Sequence, residues 1–582
     1  MIHTIAQQLK GYRLPSLLTP LCMVGEVLCE MVIPILMGLL VDRGIYGGQL
    51  DYVLQTGGMM LLVALVGFGF GLAGAFTASR ASTGLAMNLR KAMFDNIQTF
   101  SFASIDKFST SSLVTRMTTD VTNVQNAYQM LLRMAMRAPS MMVVAMMMSF
   151  AISPRLASIY LVAVLFLTGF LLLIMKSAGK YFRQVFQQYD ALNESVQENV
   201  SAIRVVKAYV REDYSINRFQ KAAANIYLVF VKAERKVIVA MPMMNATVYL
   251  CILLISWIGA HMIVSQTLTT GELMSLLTYC MNILSSLMFI AMIFVMVTMS
   301  EASCRRIAEV INEETQLTNP PHPIQEVADG SISFDHVSFA YHSGAATPVL
   351  RDVSVSIGSG ETVGILGGTG SAKSSMVNLI SRLYDVTEGR VLVGGRDVRE
   401  YDLTALRNQV AVVLQNNVLF SGTLYDNLRW GDPDASDEAC QEAARIACAD
   451  AFIRQMPEGY ETRIEQGGTN VSGGQKQRIC IARALLKKPK ILIFDDSTSA
   501  VDTATDARIR AGLRQFMPQT TKLIIAQRIS SVQDCDRILV LDDGAINGIG
   551  THEELLATNA IYREVYESQK GAYDDADFDP KN

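Results

Sequence analysis

Long runs of Leu, Val, Met and Ile dominate the chain up to about residue 300 and then cease. Six apolar stretches stand out, at 16–41, 55–78, 138–153, 156–176, 239–265 and 273–298. Most come near the ~20 residues a helix needs to cross a bilayer, so the pattern predicts six spanning helices, the third the shortest. After about 325 the apolar positions thin to the density of a soluble domain, and Ser331, Ile332, Ser333 and Phe334 open a strand-like alternation. Between the halves, Pro320, Pro321 and Pro323 follow the polar stretch 312–319 and cannot continue a helix. The division predicted is a membrane domain at 1–310, a linker at 311–330, a soluble domain at 331–570 and an acidic tail at 571–582.

At 582 residues the chain exceeds one ordinary domain, and its 50% hydrophobic and 18% charged content averages over unlike halves. A net charge of −4 gives no sign of nucleic-acid binding. The nine Cys are scattered without metal-ligand spacing and are expected as small buried hydrophobes in reducing surroundings. The first apolar stretch is too long for a signal peptide and lacks a small-residue cleavage site, so no cleaved leader is expected.

Positive charge orients the spans. Arg80, Arg90, Lys91, Lys107 and Arg116 lie between stretches two and three. Lys180, Arg183, Arg204, Lys207, Arg211, Lys221, Lys232, Arg235 and Lys236 lie between four and five, whereas 265–272 has no basic residue. Both termini are therefore expected in the cytoplasm. The two basic segments keep helical apolar spacing around Ser111, Ser112, Leu113 and Val114 and around Ile203, Arg204, Val205 and Val206. Either the spanning helices continue below the bilayer, suited to mechanical contact with a soluble domain, or these are separate cytoplasmic hairpins.

Glu26 and Glu30 share a helix face one turn apart inside the first stretch. Carboxylates at such depth face a cavity or a partner. They could attract cationic cargo, pair with Arg133 or Arg137, or be solvated in a wet cavity. Met141, Met142, Met146, Met147, Met148, Met241, Met243 and Met244 could line an adaptable pocket, or face lipid and neighbouring helices.

In the soluble half, a strand at 362–366 runs into Gly367, Gly368, Thr369, Gly370, Ser371, Ala372, Lys373, Ser374 and Ser375, and then an apolar helix. A glycine-rich turn between strand and helix aims successive amides and a helix start at phosphate. Lys373 reaches the β- and γ-phosphates in such a loop, and the Ser374 hydroxyl ligates magnesium. Ala372 stands where the pattern has glycine, and its Cβ is expected to loosen the loop slightly. The strand-like run Ile491, Leu492, Ile493 and Phe494 ends in Asp495 and Asp496; the first carboxylate is expected to hold Mg2+, directly or through water. Ser472, Gly473, Gly474 and Gln475 open another helix and form a second anion site. A soluble nucleotide hydrolase has no need of two such sites in one domain, unless the second faces another subunit's nucleotide.

Ser472, Gly473, Gly474 and Gln475 resemble the signature sequence of ATP-binding-cassette (ABC) domains. Tyr341, after Val337, Ser338, Phe339 and Ala340, matches the aromatic that stacks on adenine in that family. Gln415 matches the glutamine that meets magnesium and the membrane domain, and Ser499, Ala500, Val501 and Asp502 match the loop after the Walker B strand. Six helices ahead of such a domain resemble the exporter branch, and the resemblance spans essentially the whole chain. It implies a six-helix membrane domain with long cytoplasmic extensions, fused to an α/β P-loop nucleotide-binding domain that takes ATP and Mg2+. The location implied is the cell membrane, multi-pass, with the ATPase domain cytoplasmic.

Two departures carry the functional reading. A glutamate follows the Walker B aspartate in a working cassette site, where it polarises the attacking water; here the residue is Asp496. One methylene fewer withdraws the carboxylate by roughly 1 Å, a misplacement that can lower the rate about a hundredfold. The switch histidine that contacts the γ-phosphate is replaced by Gln527, and a neutral amide cannot carry charge or relay a proton. The signature is intact. Family domains dimerise head to tail, each nucleotide lying between one chain's Walker loops and the other's signature. The resemblance thus implies a heterodimer with a second, non-identical half-transporter that supplies the missing glutamate and histidine. Hydrolysis would fall mainly at the partner's Walker site, against the signature of this chain. The expected activity is ATP-driven export of amphipathic or drug-like compounds across the cell membrane, with membrane lipid and a hydrophobic small-molecule cargo as partners and no nucleic acid involved. The alternatives are an ATP-gated channel or regulatory ABC protein, or an exporter of lipids or peptides.

Overall fold

The computed structural model describes residues 1–315, 317–341, 347–496 and 501–574. Ser499 and Ala500 of the predicted loop, and most of the predicted acidic tail, lie outside the described residues. The chain forms two units, one of Met1–Gln98 with Ser109–Glu313, the other of Thr99–Phe108 with Glu314–Asn582.

The first unit is helical. Among its described residues, six segments are long and apolar enough to cross a membrane: Arg13–Ile45, Leu50–Gln98, Thr110–Ile152, Pro154–Tyr181, Glu212–Val264 and Thr270–Ile311. Each contains one predicted apolar stretch, to within a residue at its end. Their main helices are α1 (Arg13–Leu39), α2 (Leu50–Gln98), α3 (Val121–Ile152), α4 (Pro154–Ser201), α5 (Ala240–Val264) and α6 (Thr270–Ile311). At 49 and 48 residues, α2 and α4 run unbroken far past the apolar stretches that seed them. At 1.5 Å per residue each spans about 70 Å, more than twice a hydrocarbon core. The basic segments are therefore continuations of spanning helices, not separate hairpins. Pro154 opens α4 at a position where its missing N–H is no loss, and Thr269 with Glu272 closes a capping box at the start of α6.

The core of this unit gathers Val27, Met31, Ala145, Leu156, Tyr160, Ile255, Tyr279 and Ile283. Its buried tyrosines are satisfied by carbonyls: Tyr160 donates to Leu276 O at 2.8 Å and Tyr279 to Met31 O at 2.6 Å. Met141, Met142, Met146, Met148, Met243 and Met244 pack in or against this core, while Met147 and Met241 are exposed. Most of the methionines thus serve helix packing.

Among its described residues the second unit holds twelve strands: β1 (Ile332–Phe339), β2 (Leu350–Ile357), β3 (Thr362–Gly367), β4 (Glu388–Val393), β5 (Arg396–Asp397), β6 (Val410–Val413), β7 (Gly422–Thr423), β8 (Arg463–Ile464), β9 (Ile491–Asp495), β10 (Thr521–Ile525), β11 (Arg537–Asp542) and β12 (Ala545–Gly550). A four-stranded antiparallel sheet has the order β2-β1-β4-β5, and β7 pairs with β8. A six-stranded sheet has the order β12-β11-β3-β10-β9-β6 and is parallel except for β12. Its inner strands β9 and β10 are buried at every position, which explains their unbroken apolar runs. The helices that matter below are α7 (Lys373–Ile380), α8 (Gly473–Leu486), α9 (Thr503–Phe516) and α10 (Ala560–Asp574). The short helix Phe102–Phe108 belongs to this unit, where Tyr384 donates to Asp106 at 2.9 Å.

Candidate nucleotide site

The strand order assembles the site. In a parallel sheet, loops leaving the carboxyl ends of neighbouring strands sit side by side, and that edge is where ligands bind. The neighbours β3, β10, β9 and β6 lead respectively into the glycine-rich loop, Gln527, the Asp495–Asp496 pair and Gln415. Residues far apart in sequence thereby share one edge.

The glycine-rich loop is shaped for an anion. Gly367 closes β3, and a Cβ there would collide with the Leu541 carbonyl and Ser371 Oγ. Gly370 takes φ +87°, in the region glycine favours. Gly368, Thr369 and Gly370 form the exposed tip, and Ser371 turns inward, its hydroxyl donating to Gly368 O at 2.9 Å. Ala372 enters α7 at φ +71°, so the absent glycine has a definite consequence: a Cβ is held in left-handed backbone. Lys373 Nζ donates to Gly367 O at 2.8 Å, Gly368 O at 2.7 Å and Ser371 Oγ at 3.2 Å. Burial pushes its pKa below the usual lysine value, against the pull of Asp496 and Asp495. A partly desolvated ammonium beside bare loop amides is a strong locus for phosphate.

Ser374 Oγ donates to Asp495 Oδ1 at 2.9 Å. Asp495 is 8% exposed, and its pKa is raised, chiefly by desolvation and further by Asp496, against the Ser374 hydrogen bond. A hydroxyl and a buried carboxylate in contact are the hard oxygen donors that suit Mg2+ bound with phosphate, whereas Gln415, expected at the same ion, turns its amide nitrogen toward Asp496. The residues present fit that ion. Tyr341 meets Phe339 and Tyr384 edge-on, with centroids 4.8 Å and 5.1 Å away, and its hydroxyl lies 2.8 Å from Ser375 Oγ. It is 38% exposed, leaving ring surface for a base.

Asp496 also adopts left-handed backbone, at φ +46°, with its N–H donating to Ile525 O at 3.0 Å. Two amides converge on a single oxygen of its carboxylate: Gln527 Nε2 at 2.8 Å and Gln415 Nε2 at 3.3 Å. Sequence reading placed each of these residues at the site without linking them.

The signature residues form a separate arrangement. Ser472 caps α8, its hydroxyl accepting from Gln475 N at 3.3 Å while Gln475 Oε1 accepts from Ser472 N at 2.9 Å. Gly473 and Gly474 complete the first turn, and Arg478 holds it by donating to Gly474 O at 3.2 Å and Cys448 O at 2.9 Å. Ser472 and Gly473 are exposed. Asp502 caps α9 through Thr505 N at 2.9 Å, which lowers its pKa.

In the helical unit, Arg137 on α3 forms ion pairs with both Glu26 and Glu30 of α1, the latter at 2.9 Å. Gly71 on α2 leaves room, since a Cβ there would lie 3.3 Å from the Glu26 carboxyl. Of the readings open for these carboxylates, pairing is the one observed, with Arg137 as partner; the Nε of Arg133 is buried without a hydrogen bond. One residue escaped sequence reading entirely. Gln569 on α10 contacts the loop bearing Gln527, and its only sequence signal is that it continues the apolar helix face of Tyr562, Val565 and Tyr566.

Comparison with known proteins agrees with this architecture. Residues 17–288 match the family described as the ABC transporter transmembrane region, and 350–499 match the family described as ABC transporter. The chain is 37% identical over 563 residues to "Uncharacterized ABC transporter ATP-binding protein YfiB" of Bacillus subtilis (strain 168), covering 97% of this chain and 98% of that protein. It is 34% identical to "Probable multidrug resistance ABC transporter ATP-binding/permease protein YheI" of the same organism, covering 83% of this chain and 82% of the relative. A bacterial Atm1-family ABC exporter with ATP bound has the same fold, with a TM-score of 0.81 at 24% identity, covering 97% of this chain and 99% of that one. A six-helix membrane region, a parallel-sheet edge built for phosphate and an intact signature turn thus belong together, and the chain is a member of the ABC transporter family with the exporter fold.

Proposed function

We propose that this chain is the degenerate-site subunit of a heterodimeric, ATP-driven exporter of amphipathic or drug-like compounds. The observation that carries this reading is the double amide contact on Asp496. A general base must accept a proton from water, and this carboxylate is one methylene short and engaged by Gln527 and Gln415. Gln527 replaces a group that could carry positive charge with one that cannot. Both features favour holding ATP over cleaving it.

Lys373 and the loop amides bind the phosphates, Ser374 and Asp495 orient the magnesium, and Tyr341 receives the base. The magnesium, when bound, offsets the negative charge of the β- and γ-phosphates. Cleavage falls to the Walker residues of a non-identical partner, to which Ser472, Gly473, Gly474 and Gln475 present a ready anion site. The nucleotide-binding unit and both termini are cytoplasmic, in keeping with the lysines and arginines between spans. The name of the relative YheI supports drug-like cargo.

Purifying the chain with and without its partner tests this directly. The expected result is tight ATP binding by the lone chain with little hydrolysis, and brisk hydrolysis by the pair. ATPase activity of the lone chain comparable to the pair overturns the division of labour.

A further inference from the structure

The C-terminal helix grips the loop between β10 and β11 through one side chain. Tyr562 of α10 is fully buried, with its hydroxyl 2.7 Å from His552 Nδ1 and its amide donating to Asn559 Oδ1 at 2.9 Å. Val565 and Tyr566 continue the packed face onto the core of the soluble unit. The helix is therefore fixed in register at its start, and Gln569, two turns along the same face, arrives at the loop in a set position. Its Oε1 accepts from Ile529 N at 2.9 Å and its Nε2 donates to Gln527 O at 2.8 Å. One amide thus fastens the backbone on both sides of Arg528.

The residue whose carbonyl is held is also the residue whose side chain reaches Asp496, with Gln527 Nε2 to Asp496 Oδ2 at 2.8 Å. We propose that Gln569 is a positioning residue of the nucleotide site, setting the reach of Gln527 toward Asp496 and the terminal phosphate of ATP. Glutamine suits the task because its planar amide offers an acceptor and a donor side by side. A glutamate keeps only the acceptor for Ile529, and an alanine keeps neither. A displacement of about 1 Å is enough to change chemistry at such a site. The inference rests on reading Gln527 as the residue that meets the γ-phosphate.

The test uses the full chain in lipid nanodiscs and a fluorescent ATP analogue with Mg2+. Gln569→Ala is expected to weaken binding about three- to tenfold, the scale of one or two lost hydrogen bonds. Gln569→Glu recovers part of that loss, and Glu567→Ala, on the exposed face of the same helix, changes nothing. In a Gln527→Ala background the Gln569→Ala change adds no further loss, the non-additivity expected of residues acting through one another. Hydrogen exchange at the Ile529 amide, read without nucleotide, rises in Gln569→Ala and stays protected in Gln569→Glu. Wild-type binding by Gln569→Ala, or an undiminished loss in the Gln527→Ala background, overturns the proposal. If Gln527→Ala binds like the wild type, the reading of Gln527 has failed and the proposal falls with it. If Gln527→Ala weakens binding while Gln569→Ala does not, only the positioning role falls. Should Gln569→Ala fail to fold, Gln569→Glu and the Ile529 exchange decide in its place: exchange and binding both unchanged in Gln569→Glu overturn the proposal.

Discussion

Two helices of the soluble unit start at glycine-rich turns and are prepared in opposite ways. α7 is entered through Ala372 at φ +71°, without a side-chain cap, and its first lysine folds back onto the carbonyls of Gly367 and Gly368. α8 is entered through Ser472 in extended backbone and is closed by a reciprocal cap with Gln475. The first start leaves its amides for an anion and carries backbone strain that a bound phosphate can offset. The second is complete without a ligand. Its exposed turn is a preformed surface, suited to a nucleotide held by another chain. The two starts sit on different elements with independent supports, so the proposed combination of an intact signature with a weak Walker site requires no compromise between them.

Three variants sharpen or break this contrast. Replacing Asp496→Glu together with Gln527→His restores carboxylate reach and a protonatable group in the first site. In the chain paired with copies of itself, where Ser472 supplies the opposing surface, ATPase activity is expected to rise about a hundredfold. No rise would overturn the reading that Asp496 and Gln527 weaken this site. Ser472→Ala removes the cap of α8, at a local cost of about 1 kcal/mol. It is expected to lower the ATPase rate of the assembled pair about tenfold or more, while binding of a fluorescent ATP analogue to this chain's own loop stays unchanged. Equal loss in both measurements would mean the two helix starts are not independent. The smallest effect belongs to Ala372→Gly. Relief of the left-handed Cβ is partly offset by the greater freedom of glycine in the unfolded chain, for a net gain of about 1 kcal/mol or less. A thermal melt without nucleotide reads it as a rise of a few degrees at most, and a fall in melting temperature would show that the alanine is not strained.

Much of this was legible in the residue pattern, for reasons that differ from one feature to the next. A spanning helix declares itself through the length of an apolar run, so all six spans could be placed. The loop at 367–375 was legible because its glycines, lysine and serine follow one another in sequence. Helix extent was not, because α2 and α4 continue through amphipathic segments whose spacing also fits separate hairpins. Glu26 and Glu30 were found, but their partner was left open between Arg133 and Arg137, one turn apart on the same helix. Packing of α1 against α3 selects Arg137.

Local order along the chain was enough to specify the membrane spans and the phosphate loop, short runs whose chemistry follows from their own spacing. The roles of the signature residues, Asp496 and Gln527 came from the resemblance to ABC domains. The meeting of Gln415 and Gln527 at Asp496, and of Gln569 with the loop that carries Gln527, needed the folded structure. Gln415 and Gln527 are 81 and 31 positions away from Asp496, and Gln569 is 42 beyond Gln527. Strand order alone makes β6, β9 and β10 neighbours, and helix docking alone brings α10 to the same loop; no propensity or period in the chain encodes either adjacency.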